Sequence, residues 1–282
     1  MTRLRIRSAL FTPGTEAARL RKAVATEADI CIFDLEDSVP PARVVEARQI
    51  VTQALAEIED RSRVWVRVHA AGSAQMVDDL AALPLGSIAG IMLPKAGGAA
   101  ELAECRAAIL ASKGPAAVSL IPIIESASGV LNAAEIAATP DVFCLALGRF
   151  DLSADLGIDP DGGSPALAAA RAALVLASTA RGLRPPLDSP WLKIGDLEGL
   201  RQAAQRARAD GFGGMLLIHP SHVKPVNDIF SPTADEISWA RDILASSGQA
   251  SAEGRGAYAR EGAMVDEAII RRARAILEQA AD

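Results

Sequence analysis

Glu125 and Asp151 each follow an apolar run, IPII before the first and VFCLALGRF before the second. If those runs are neighbouring strands, the two carboxylates converge on one point. Two oxygen ligands, completed by water and a substrate oxyanion, suit Mg2+, which keeps several waters and is seldom caged by protein alone; Mn2+ is the substitute. Each carboxylate alone has a structural alternative as a helix cap, since Asp151 heads 152–156 and Glu125 precedes Ser126.

Other polar residues end similar runs. ICIFD is followed by Leu35, Glu36 and Asp37, giving three carboxylates in four residues with Asp34. This turn is either solvated at a helix start, where the dipole favours negative charge, or orders metal-bound water through Glu36 and Asp37. Arg67 follows Val64-Trp65-Val66, and strand alternation puts it on the Trp65 face. An inward guanidinium needs an anionic partner, either a substrate oxyanion or the acidic turn itself. Arg7 shows the same pattern. Lys95, after Pro94, is placed for Schiff-base chemistry, but nearby carboxylates would raise its pKa and point to an electrostatic role. The backbone N–H groups of Gly148, Arg149 and Phe150, opening a helix, could bind a substrate carboxylate. His69, His219 and His222 are the three histidines, with no HExxH or Ser-x-x-Lys pattern to support zinc or acyl-enzyme chemistry.

What must position these groups is a series of strands and helices. Strand candidates cover 7–11, 30–34, 64–68, 90–93, 119–124, 142–147, 183–187 and 214–219. Helical patterns cover 16–27, 42–59, 99–111, 127–138, 165–181 and 196–210, with a short one at 78–83. Alternation of this kind predicts parallel strands with right-handed crossovers. Eight of them suit an α/β fold, a closed (β/α)8 TIM barrel of about 250 residues. An open doubly wound sheet is the alternative, but no Gly-rich dinucleotide fingerprint follows the first strand. In a barrel Asp34, Glu36, Asp37, Arg67, Lys95, Glu125 and Asp151 lie at or just after strand ends, the place where chemistry is built.

Residues 1–232 read as the barrel and 233–282 as a C-terminal helical extension. Within the extension, 234–245 and 265–280 are helical, 246–256 is a small, polar linker, and 257–270 forms a lid. The sequence after His219-Pro220 reads as a loop.

Composition sets the exclusions. Over 282 residues, half are apolar and only 4% aromatic, so the core is aliphatic. The 29 basic against 35 acidic residues leave −6, without the basic field of a nucleic-acid binder. No apolar run reaches the roughly 18 residues of a membrane span, and the N-terminal apolar stretch is too short for a signal peptide. Cys31, Cys105 and Cys144, odd in number and far apart, read as buried reduced thiols of a cytoplasmic protein.

Taken together, RSALFTPG, FDLEDSVPPARVVEAR, RVH, LPK, IPIIES, LGRFDLSADLG and IHPSHVKPVNDIFSPTADEI occur in the order seen in citrate lyase β-subunit-like proteins of the HpcH/HpaI aldolase/citrate lyase family. The resemblance runs from Arg7 to about Ala280. It implies a (β/α)8 barrel, Mg2+, a homotrimer or multiple of one, and reversible carbon–carbon cleavage of hydroxyacyl-CoA esters to an acyl-CoA and a 2-oxo acid. On this resemblance Glu125 and Asp151 match the metal ligands, and Arg67 the arginine beside the reacting carbonyl. Glu36 and Asp37 match the acidic turn, while Arg7 and Arg43 are CoA-side contacts. The tail GAYAREGAMVDEAII resembles a lid acting in a neighbouring subunit, with Asp266 as its catalytic aspartate; without the resemblance Asp266 reads as a helix-start carboxylate. The chain departs from the pattern at His69 (usually Asn), Val44 (usually Lys, with Arg43 beside it) and His222 (usually Gln). A CoA-free class II pyruvate aldolase and a malyl-CoA-type thioesterase are the rival enzymes. A decayed barrel serving as a subunit of a larger complex is the non-enzymatic one.

Overall fold

The computed structural model describes residues 6–252, 257–260 and 263–281. The chain divides into two compact units, Ile6–Asp228 and a second from Ile229 onward. In the first, eight parallel strands close in chain order into a barrel: β1 (Ser8–Pro13), β2 (Ile30–Asp34), β3 (Val64–Arg67), β4 (Gly90–Leu93), β5 (Ser119–Ile124), β6 (Ala146–Leu147), β7 (Leu187–Asp188) and β8 (Gly214–Leu217). β1 pairs with both β2 and β8, which closes the cylinder. The crossover helices are α1 (Ala17–Val24), α2 (Val44–Glu57), α3 (Ala74–Ala82), α4 (Ala99–Ala111), α5 (Ala127–Leu131), α6 (Ala133–Ala138), α7 (Arg149–Leu156), α8 (Pro165–Ala180) and α9 (Leu197–Asp210), with α10 (Val223–Phe230) after β8.

The cylinder is filled by side chains at alternate strand positions, among them Ala9, Ile30, Ile32, Trp65, Met92, Ile121, Ile123 and Leu216. Trp65 is the bulky exception in an aliphatic core, and Gly90 makes room for it. A Cβ at Gly90 would lie 2.4 Å from the Trp65 ring and 2.4 Å from the Ser119 carbonyl.

Several boundaries differ from those expected. β6 is shorter than 142–147, although Val142 still bridges to Leu120. β7 begins only at Leu187, because Pro185 and Pro186 have no N–H to give a ladder. The expected helix over 127–138 breaks into α5 and α6 at Asn132, which donates through its side chain to the Gly97 carbonyl at 2.7 Å. The expected loop after His219-Pro220 is a 310 turn followed by α10, where Pro225 falls in the first helical turn and breaks no intrahelical bond.

The second unit contains α11 (Ala234–Ala252), the hairpin β9 (Tyr258–Arg260) and β10 (Ala263–Val265), and α12 (Glu267–Ala281). α11 and α12 pack through Ala240, Ile243, Ile270 and Ala273. The expected linker over 246–256 is helical through Ala252; Glu253–Gly256 lie outside the described residues. Ser246 turns its hydroxyl back onto the Asp242 carbonyl at 2.9 Å, so a linker-like composition is accommodated inside a packed helix. Among the described residues, no helix is long and apolar enough to cross a membrane.

Candidate active site

Asp34 and Arg67 are the last residues of β2 and β3, and the ladder sets them directly opposite each other. The guanidinium grips the fully buried Asp34 carboxylate through two bonds of 2.6 Å, from Nε and Nη2. Burial alone would push the Asp34 carboxyl up, but the Arg67 hydrogen bonds and charge outweigh it and hold it below the ordinary range. Asp34 also accepts from the Glu36 and Ser38 amides, which shapes the acidic turn. Arg67 Nη1 reaches Asp37 at 3.1 Å and lies 3.2 Å from Glu36, and the guanidinium carbon stacks 4.7 Å from the Phe11 ring centroid. Arg67 thus arrives paired with the acidic turn. The holder, Asp34, is a site residue that sequence reasoning had grouped with a solvated turn.

Glu36 is buried, and its Oε2 makes no hydrogen bond despite the nearby guanidinium, which is close in charge but off the bonding direction. Its Oε1 accepts from Lys95 Nζ at 2.9 Å, the electrostatic role expected for this lysine. That bond to Glu36 raises the Lys95 pKa further, which disfavours Schiff-base chemistry. Lys95 has φ of +55°, a strained left-handed conformation for a side chain of its size. The strain aims its backbone N–H at Glu125 Oε1, 2.7 Å away. One residue therefore touches two carboxylates, through its main chain and its ammonium.

Glu125 directly follows β5 and is buried, whereas Asp151 sits exposed in the first turn of α7, just after the adjacent β6. Burial is the largest cause that pushes the Glu125 carboxyl from its ordinary 4.5 up to about 7, with the charges of Asp151 and Glu36 adding to it. The two carboxylates therefore feel each other. Neither acts as a cap: Ser126 caps α5 by accepting from the Gly129 amide, and Gly148 occupies the cap position of α7. Asp151 accepts no hydrogen bond among the described residues. Gly148 presses against Glu125, since a Cβ there would lie 2.5 Å from Glu125 Oε2.

The expected anion cradle over Gly148–Phe150 is smaller than the sequence suggested. The Gly148 N–H donates to the Ile124 carbonyl at 3.0 Å, continuing the β5–β6 ladder, and the Arg149 N–H donates at 2.9 Å to the side-chain hydroxyl of Ser189, just after β7. Helix geometry leaves the amides of Phe150 and Asp151 at the open end. The Arg149 guanidinium turns instead to Asp161 at 3.1 Å and stacks on Phe150.

The remaining expected site residues have partners of their own. Arg7, expected on the CoA side, precedes β1 and so lies at the opposite end of the barrel; it is clamped to Asp29 by bonds of 2.7 and 2.9 Å. This corrects the sequence reading, because mouth residues must follow their strands. Arg43 lies in the β2–α2 connection, half exposed, paired with Glu46 and donating to the Thr15 carbonyl at 3.3 Å. Asp266 belongs to the second unit, where its Oδ1 accepts from the Ala268 and Ile269 amides and caps α12. All three cysteines are buried free thiols, and burial pushes Cys31 up to about 11 and the other two up to about 12.

A closed (β/α)8 barrel whose carboxylates, guanidinium and strained lysine amide gather at the carboxyl ends of its strands defines an enzyme of the barrel lyase class. The chain belongs to the HpcH/HpaI aldolase/citrate lyase family, which it matches over residues 7–220. It is 37% identical to a citrate lyase subunit beta-like protein of Mycobacterium tuberculosis, over 97% of this chain and 95% of the relative. It is 34% identical to the (3S)-malyl-CoA thioesterase of Cereibacter sphaeroides and 35% identical to the L-malyl-CoA/beta-methylmalyl-CoA lyase of Rhodobacter capsulatus, each match covering 97% of this chain and 94% of the relative. The crystal structure of protein CitE from Mycobacterium tuberculosis in complex with magnesium, acetoacetate and coenzyme A superimposes with a TM-score of 0.84 at 35% identity, covering 99% of this chain and 100% of that one.

Proposed function

We propose that this lyase is Mg2+-dependent and reversibly cleaves a 3-hydroxyacyl-CoA dicarboxylate, such as malyl-CoA or citramalyl-CoA, into an acyl-CoA and a 2-oxo acid. The observation that carries the reading is Glu125: a buried carboxyl pushed up to about 7 by burial and by the charge of Asp151, which is exposed in the first turn of α7 after the next strand. That is a donor set in want of a cation. Among the described residues no three His, Cys, Asp or Glu side chains form a complete cage. Two carboxylates with open positions instead fit a hard ion that keeps water and takes substrate oxygens. Held by Glu125 and Asp151, Mg2+ supplies Lewis-acid charge to the oxo-acid oxygens, with Mn2+ able to replace it.

The chain's own groups do the rest. The Phe150 and Asp151 amides receive the substrate carboxylate at the helix start, with Gly148 and Arg149 shaping that turn. Arg67, braced by Asp34, offers its remaining N–H groups to the carbonyl oxygen on which enolate charge develops, a contact worth about 3 kcal/mol when well placed. Glu36 and Asp37, held by Lys95 and Arg67, position water beside the ligands. Asp266, presented by the lid of a neighbouring subunit in a homotrimer or multiple of one, moves the proton at the enolate carbon. Arg43, at the rim, meets the CoA phosphates; the buried thiols suit a cytoplasmic setting.

The test is a Mg2+ assay over a panel of hydroxyacyl-CoA esters with mass-spectrometric product identification. Acetyl- or propionyl-CoA with a 2-oxo acid is expected. Free CoA with malate would instead establish thioester hydrolysis, a second reading favoured by the thioesterase relative. Cleavage of CoA-free oxo acids alone would move the chain to the aldolases.

A pH dependence follows. Glu125 titrates near 4.5 when unfolded and at about 7 when folded, so between these values the metal-free native state holds a proton that the unfolded chain has released. Stability of the metal-free protein therefore falls as pH rises through that window. Mg2+ binds the ionised form, so its stabilising shift in melting temperature should grow over the same interval. A shift that is flat from about pH 5 to about pH 8 would count against Glu125 as a ligand.

A further inference from the structure

Outside that cluster, His69 stands two residues past Arg67 on the same strand path. Its ring Nδ1 lies 2.7 Å from Asp79 Oδ2. Asp79, on α3, is fully buried, and its other oxygen takes the Nε and Nη2 of Arg48 on α2 at 3.0 and 2.8 Å. The His69 backbone N–H already donates to Asp79 Oδ2 at 3.0 Å, so tying β3 to α3 does not require the ring. The ring bond is additional, and what it does is orient an imidazole. Because a carboxylate only accepts, Nδ1 carries the proton in the neutral ring, and Nε2 presents a lone pair. Arg48 holds the other oxygen of Asp79, which leaves Oδ2 to His69. Nε2 has no hydrogen-bond partner among the described residues, and the side chain is 17% exposed.

We propose that His69 is a specificity-determining residue that accepts a hydrogen bond from the uncharged amide of a pantetheine arm. The inference rests on the CoA-ester reading above. The Val68 N–H still pairs with the Met92 carbonyl, so the chain stays extended as far as His69, about 6–7 Å beyond Arg67 toward the rim. A thioester with its reacting carbonyl at Arg67 trails its carrier arm outward past that height. The arm bears amide N–H donors that match a fixed lone pair, whereas a phosphate or carboxylate presents only acceptors and is not matched.

The chain has three histidines, so the full-length protein labelled with 15N-histidine gives a readable spectrum, and His69→Gln identifies the His69 signals by their loss. The expected spectrum shows the Nδ1–H tautomer, with Nε2 moving upfield on addition of either CoA or pantetheine, and not on addition of inorganic phosphate. In turnover of the CoA ester, His69→Phe raises KM about tenfold with a much smaller change in kcat, the scale of one neutral hydrogen bond. His69→Gln, whose amide oxygen also accepts, recovers most of the loss. The opposite tautomer, or an unmoved Nε2 while CoA raises the melting temperature, overturns the role of His69 alone. No binding of CoA by either readout overturns the CoA reading and this inference with it.

Discussion

Glu125→Gln should raise the melting temperature of the metal-free protein at about pH 8 while abolishing its response to Mg2+. The substitution keeps the shape and still accepts the Lys95 N–H now received at 2.7 Å. It removes the charge that burial and the neighbouring Asp151 and Glu36 carboxylates penalise. At about pH 5, where Glu125 is already neutral in the folded state, variant and parent should melt alike without metal. Turnover should fall by at least ~100-fold, the scale of losing one electrostatic group aimed at the reacting atoms. Melting curves at both pH values, with and without Mg2+, separate the two effects. An undiminished Mg2+ shift in the variant would remove Glu125 from the site, and the lyase mechanism with it.

Arg67→Met should cost about 3–5 kcal/mol of stability, because it strands a fully buried Asp34 without its cation. Whether Arg67 also acts on substrate is decided by a second substitution. Asp34→Asn in the Arg67→Met background removes the orphaned charge, so chemical denaturation should show most of the stability restored. Turnover should stay low, since the group beside the carbonyl is still missing. If the double variant recovers both, Arg67 is only the brace of the acidic turn.

Most of the candidate site could be read along the chain because it obeys a local rule. Each mouth residue follows an apolar run, and parallel strands bring all such ends to one side. Arg7 shows the rule's force by breaking it. It precedes its run, and the structure accordingly finds it beside Asp29 at the other end. The end of α11 differs from the expected linker for another reason. Ser, Gly and Ala over 246–252 are poor evidence of order by composition, yet they continue α11, whose earlier turns pack on α12 through Ala240 and Ile243, a contact between residues far apart in sequence. The Gly148 amide is taken because a two-residue strand continues its ladder into the helix start, and the Arg149 amide because the Ser189 hydroxyl reaches it from the next strand end, which no local pattern announces.

By itself, the sequence determined the alternation of strand and helix, the aliphatic filling of the barrel, and the set of charged residues delivered to the strand ends. Those properties depend on periodicity and direction, which are written in neighbouring residues. Only the tertiary structure decided which carboxylate is buried against Arg67, why Lys95 adopts a left-handed backbone, and that Asp79 seizes the ring of His69. Each of these is settled by strand register and loop closure, where one residue of slip would change every partner, and register is a property of pairs of segments rather than of either segment alone.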